Sequence, residues 1–202
     1  MTETTYRPGM VTAVIPVHIP NLHNGMLHQA MASVSRQTQP VDQISVAVDR
    51  NHRGAAATRD DALSGVTTEW TAFLDSDDHW YPNHVAALLN TALMTGADVV
   101  YPWFDVRDGF DPFPQYEGQP FNEKVMRETQ NFVPITVLAK TELLHRSGGF
   151  AANVRGPANN PCDDWGMWLA LLDAGAKFVH HNGRTWAYHW HRGNTSGSGE
   201  NW

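Results

Sequence analysis

Hydrophobic positions change period repeatedly along the front half of the chain, and each change marks an element. The β-branched run VTAVIPV (residues 11–17) predicts a buried strand, and Leu27, Ala30, Met31 and Val34 follow at the spacing of one helix face. QISVAVD (43–49) predicts a second strand, AAATRDDALSG (55–65) a helix closed by glycine, and EWTAFLD (69–75) a third strand. Val85, Leu88, Leu89, Ala92 and Leu93 form one apolar helix face ahead of Gly96, and ADVVYPWF (97–104) predicts a fourth strand. Strands alternating with helices imply an α/β fold with a Rossmann-like, doubly wound, mostly parallel central sheet flanked by helices. Such sheets bind ligands outside the carboxyl ends of their strands, where Asp49 and Asp75 both fall.

Beyond residue 104 the pattern loosens. DVRDGFDPFPQYEGQP (105–120) is rich in proline, glycine and aromatics and predicts an irregular connection, either a lid or a surface loop. NFVPITVLA (131–139) predicts a strand, KTELLHRSGGF (140–150) a short helix closed by Gly148 and Gly149, and AANVRGPANNP (151–161) a loop. DDWGMWLALLDAG (163–175) places Trp165, Trp168, Leu169 and Leu172 on one helix face, with two aspartates in its first turn. KFVHH (177–181) and TWAYHWH (185–191) predict two strands, and RGNTSGSGENW (192–202) a flexible tail.

Composition narrows the classes. A chain of 202 residues, 42% hydrophobic, has material for one core. A formal charge of −7 disfavours nucleic acid as a partner. The single cysteine, Cys162, forms no internal disulfide, which suits a reducing compartment, and no Cys-His signature marks it as a nucleophile. No stretch is long and apolar enough to span a bilayer, and MTETTYRPGM lacks the basic-then-apolar plan of a signal peptide. A cytoplasmic protein without an integral membrane segment is expected.

Three acidic or imidazole clusters carry the candidate chemistry. LDSDDHWYP (74–82) sets Asp75, Asp77 and Asp78 behind an apolar run. Hard cations such as Mg²⁺ and Mn²⁺ take one or two carboxylates and complete their shell with water and phosphate oxygens, which such a turn could serve. Equally, Asp75 could cap the turn while Asp77 and Asp78 complement the dipole of a helix starting near Pro82. Asp163 and Asp164 open a helix after a loop, where an N-cap with an acidic first turn is the plain reading and a site role is ambiguous. His189 and His191 alternate, so on a strand both would share one face and could offer a nitrogen ligand.

Taken in order, VTAVIPVH, GAAATRDDAL, FLDSDDHWYP, NFVPITVLAKTELLHRSGGF, DDWGMWLALLDAGAKF and YHWHRGNTS resemble the inverting glycosyltransferase family 2, over about residues 11–196. The resemblance implies the GT-A fold: one domain over residues 1–192, a donor-binding half at about 10–104, an acceptor and catalytic half at about 105–192, and a tail at 193–202. It implies Asp75 at the donor ribose, Asp77 as the metal ligand of the Asp-X-Asp motif, and Asp78 as an adjacent candidate. Asp164 matches the catalytic base, with Asp163 in place of the usual Glu, and His191 completes the metal shell around Mn²⁺ or Mg²⁺. Asp49 and the floor formed by Pro16, Val17 and His18 would receive the donor base, with Arg59 approaching the diphosphate. His189 and Trp165 are further candidates, Trp165 or Trp168 for stacking on an acceptor sugar and Trp80 and Tyr81 for lining the donor sugar. DRNHRG (49–54) departs from the family's usual Asp-Asp-Gly-Ser, so Arg50 is an alternative phosphate contact.

The chemistry implied is transfer of one sugar from a nucleotide-diphosphate donor, UDP-sugar foremost, to an acceptor hydroxyl. The processive Gln-X-X-Arg-Trp motif is missing. Asp164 at a helix N-terminus is expected to be ionised, suiting a base. The acceptor is open between a glycan, a small molecule and a protein side chain. A nucleotidyltransferase would need a Gly- and Arg-rich phosphate loop where this chain has HIPNLHNG; a catalytically silent nucleotide- or sugar-binding protein on the same fold is the other alternative.

Overall fold

The computed structural model describes residues 6–155 and 162–191. The expected tail at 193–202 and part of the expected loop, 156–161, lie outside the described residues. Seven strands form one sheet: β1 (Arg7–Val17), β2 (Gln43–Val48), β3 (Thr68–Phe73), β4 (His79–Trp80), β5 (Val99–Arg107), β6 (Leu138–Lys140) and β7 (Phe178–His189). Their order is β2-β1-β3-β6-β5-β7-β4. β1 pairs in parallel with β2 and β3, and β5 in parallel with β7, while β6 and β4 run antiparallel to their neighbours. Five strands therefore point one way and two the other, giving the mostly parallel sheet expected.

Helices cover both faces. α1 (Met26–Ser35) and α3 (His84–Thr95) pack with Trp70, Leu74 and Trp103 on one side. α2 (Ala55–Leu63), α4 (Glu123–Glu128), α5 (Thr141–Arg146) and α6 (Asp163–Asp173) pack with Phe73, Phe150 and Trp168 on the other. Within one strand the faces alternate: Val14 of β1 joins the second layer, and Ala13 and Ile15 the first. Among the described residues no helix is long and apolar enough to cross a membrane.

Four expectations are corrected. Residues 131–137 are not a strand; only Leu138–Lys140 pairs, although Phe132, Val133, Ile135 and Val137 are buried. Their hydrophobicity reflects packing under the core, and Pro134 has no N–H for a ladder. The two late strands are one, β7, whose register against β5 shifts around Pro102 and Trp103, opposite Asn182 and Gly183. Pro102 cannot donate there, and the extra residues in β7 absorb the mismatch as a bulge instead of a turn. Leu93 belongs to the exposed side of α3, and the position that closes the buried face is His84, stacked on Trp80 at 4.5 Å. The segment after the acidic turn is β4, so Asp77 and Asp78 do not open a helix; α3 starts at His84 with no acid in its first turn.

Gly149 lets the chain before Phe150 pass close to α2. It adopts φ +84°, and an added Cβ would stand 2.5 Å from Asp60 Oδ1 of α2. That approach lets the Asp60 carboxylate accept the Phe150 N–H at 2.7 Å and the Ala151 N–H at 2.9 Å. Gly149→Ala combines a left-handed backbone penalty with that collision and is expected to destabilise the protein by about 2–4 kcal/mol, read as a lowered urea midpoint at unchanged slope.

Candidate functional site

A cleft of about 320 Å³ opens at the carboxyl ends of β1, β2 and β3. Its floor is Pro16, Val17 and His18, where β1 ends; Asp49 follows β2; Asp75, Ser76, Asp77 and Asp78 follow β3. The start of α2 closes one side with Gly54, Ala55, Thr58 and Arg59, and Tyr188 of β7 another. At such strand ends the pleat stops and loops diverge, so the backbone leaves a crevice without breaking the core.

The acidic turn is held from three directions. Leu74 N–H donates to Val14 O of β1 at 3.0 Å, and Asp78 N–H closes the turn onto Asp75 O at 3.1 Å. Ser76 Oγ accepts from Asn21 Nδ2 at 3.0 Å. Asp78, only 3% exposed, accepts the His189 N–H on Oδ1 at 2.9 Å, which welds the turn to β7. Burial raises the Asp78 pKa well above the ordinary carboxylate range, and Asp77 and Asp75 add to that. β4 then runs back along β7, with His79 opposite Ala187 and Trp80 opposite Trp186. This pairing carries the end of β7 to the turn.

As a result Asp77 and His191, 114 residues apart, meet: His191 Nε2 stands 3.1 Å from Asp77 Oδ2. That separation is a hydrogen bond between a carboxylate and an imidazole, two groups that could serve as ligands to a divalent cation. Among the described residues no group of three or more His, Cys, Asp or Glu side chains could hold an ion, so a cation here would fill the rest of its shell with water or ligand oxygens. His189 meets the same turn one residue further on, with Nδ1 4.0 Å from Asp78 Oδ1. Its ring lies 4.9 Å from His79, and burial lowers its pKa against the Asp77 backbone carbonyl. Next to it Trp190 N–H donates to Arg107 O at 2.9 Å, and Gly109 sits so close that an added Cβ would be 2.7 Å from Trp190 Cβ.

Arg59 is 7% exposed and lies between two carboxylates. Its Nη2 donates to Asp75 Oδ1 and Oδ2 at 3.0 and 3.1 Å, and its Nη1 to Asp163 Oδ2 at 2.5 Å. Burial opposes the charge, yet Asp75, Asp163 and Asp164 outweigh it and the Arg59 pKa is raised. Burial also raises the Asp75 pKa, with Arg59 opposing and Asp77 reinforcing.

Asp164, in the first turn of α6, accepts on Oδ1 from Cys162 Sγ and from Trp165 N–H, both at 2.7 Å. Contrary to the helix-dipole expectation, its pKa is raised: burial dominates, Asp163 adds to it, and the Cys162 thiol and Arg59 only partly offset them. Cys162 itself is pushed up by burial and by Asp164. Its thiol contact is invisible in the sequence except as a position two residues before the acid. Asp49 accepts the Arg53 N–H at 2.7 Å and the Gly54 N–H at 2.8 Å, so it shapes the turn into α2, and those bonds hold its pKa low. Arg50 is exposed and His52, with φ 52°, lines the cleft, a residue the sequence did not single out.

The aromatic candidates divide. Trp80 and Trp168 are core, and Trp165, half-buried, donates from Nε1 to Met126 O at 2.8 Å. The Tyr81 hydroxyl donates to Asp105.

A mixed sheet with a crevice at the carboxyl ends of β1 to β3, an acidic turn after β3 and an acidic helix start linked to it through Arg59 make an α/β fold with a ligand-sized cleft. The sequence profile described as "Glycosyl transferase family 2" matches residues 29–159, and the chain belongs to that family. Its fold is the GT-A fold, like that of S. aureus TarS 1–349 in complex with UDP (TM-score 0.64) and in complex with UDP-GlcNAc (TM-score 0.67), each 14% identical. Those matches cover 90% and 92% of this chain and 60% of the TarS chain, so the chain spans about three-fifths of their length. A longer TarS structure matches at TM-score 0.66 over 37% of its own length. No curated protein matches in sequence.

Removing the Asp78 carboxyl tests how the turn is held. Asp78→Ala leaves the buried His189 N–H without its acceptor and is expected to cost about 1–3 kcal/mol in urea unfolding.

Proposed function

We propose that the protein is a metal-dependent, inverting glycosyltransferase that moves one sugar from a UDP-sugar to an acceptor hydroxyl, with Asp164 as the general base. The observation that carries this is the meeting of Asp77 with His191 beside a cleft floored by Pro16 to His18. Membership of the family and the nucleotide complexes of the similar TarS structures support the donor class.

Pro16, Val17, His18 and Asp49 border the part of the cleft suited to a nucleobase, and Asp75 the part suited to a ribose. Asp77 and His191 would hold Mn²⁺ or Mg²⁺. Such an ion, when bound, supplies a Lewis acid for the charge that grows on a departing diphosphate. Asp164 takes the proton of the acceptor hydroxyl as its oxygen attacks the anomeric carbon from the face opposite the diphosphate. A raised pKa strengthens Asp164 as a base, because a carboxylate that holds its proton more tightly also withdraws one more effectively. The acidic surface charge favours acceptors other than nucleic acid.

Thermal shift and calorimetry with UDP, in Mn²⁺ or in chelator, test the donor site. Native protein is expected to be stabilised by UDP only with the cation, and Asp77→Asn to lose that gain; no UDP stabilisation under any metal condition would remove the reading. Asp164→Asn should keep UDP affinity and lower turnover about 10²–10⁴-fold, measured as UDP release from a UDP-sugar. Since only ionised Asp164 is competent, activity should rise with pH through a midpoint above the ordinary Asp value of about 3.9. A midpoint at or below that value would contradict its assignment.

A further inference from the structure

α2 carries two adjacent charged residues that grip opposite ends of the connection leading to α6. Asp60 holds its beginning through the Phe150 and Ala151 N–H groups. Arg59 holds its end through Asp163, the residue before the base, and at the same time grips Asp75 in the acidic turn. The Phe150 ring lies 5.9 Å from the Arg59 guanidinium carbon, so the two grips share one packed unit. A residue that served mainly as a diphosphate ligand would keep its terminal nitrogens for the cleft; Arg59 gives both to protein carboxylates and is almost wholly buried.

We propose that Arg59 is a positioning residue for Asp164: its guanidinium ties the donor turn at Asp75 to Asp163, while Asp60 anchors residues 150 and 151, so that α2 sets where the base stands. The inference rests on Asp164 being the base, and it gives Arg59 a role other than the diphosphate contact expected from the sequence. The arrangement also links the two halves of the reaction. A donor that settles against Asp75 acts on the same guanidinium that holds the base's neighbour.

The groups facing Asp164 are Asp163, the Cys162 thiol, the Trp165 N–H and Arg59. The test pairs two readouts on native protein, Arg59→Gln and Arg59→Lys: UDP affinity with Mn²⁺ by calorimetry, and the titration midpoint of the Asp164 carboxyl by ¹³C NMR without donor. With the guanidinium gone, Asp164 loses a favourable positive neighbour, so its midpoint in Arg59→Gln should rise. Arg59→Lys, which keeps the charge and one contact, should recover part of that shift and serves as the test if Arg59→Gln does not fold. UDP affinity should fall by less than about tenfold in both, since the two terminal nitrogens are already engaged by Asp75 and Asp163. A loss of UDP affinity of about tenfold or more in both variants, with the Asp164 midpoint unmoved, would overturn the proposal and make Arg59 a diphosphate ligand. If native protein binds no UDP, the donor reading fails, and the titration alone decides whether Arg59 acts on Asp164: an unmoved midpoint overturns it.

Discussion

Like charges crowd the carboxyl end of this sheet, and one guanidinium allows them to coexist there. Asp75 and Asp163 come from segments far apart in the chain, and each would repel the other across a partly desolvated gap. Arg59 lies between them with its planar fork divided, Nη2 to one and Nη1 to the other. Lysine could bridge two carboxylates only from one nitrogen, without the planar fork that gives Asp75 two contacts from Nη2 while Nη1 serves Asp163. That division ties the acidic turn after β3 to the first turn of α6.

The second dependence is the antiparallel return of β4. Two residues of pairing, His79 with Ala187 and Trp80 with Trp186, bring the chain after the acidic turn alongside β7. Without it, Asp78 would have no His189 N–H to accept and Asp77 no His191 beside it. Stacking of Trp80 on His84 then locks this short strand to α3, which explains why a fully buried histidine occupies a helix start.

Much of the front half was legible because strand and helix periods alternate cleanly from residue 11 to residue 104, and the strand ends named the region where a ligand would sit. The later half was less so. Residues 131–137 carry a strand-like apolar run that is buried without pairing, and β7 contains an Asn-Gly that imitates a turn but forms a bulge opposite Pro102. Both errors have one origin: local hydrophobicity reports burial, while pairing depends on a partner strand elsewhere in the chain. The site divides in the same way. The acidic turn and the acid pair stand out as clusters of neighbours, whereas the bridge from Arg59 to Asp163 spans 104 positions and the Cys162 thiol contact depends on the entry angle of α6.

Gly109 and Trp190 meet just ahead of His191. Cβ space at position 109 is already filled by the Trp190 side chain, one residue before His191. Because the nearest of those atoms is the Trp190 Cβ, which every residue but glycine carries, shrinking the side chain at 190 would not make room, and position 109 is held to glycine for as long as the segment bearing His191 keeps its place.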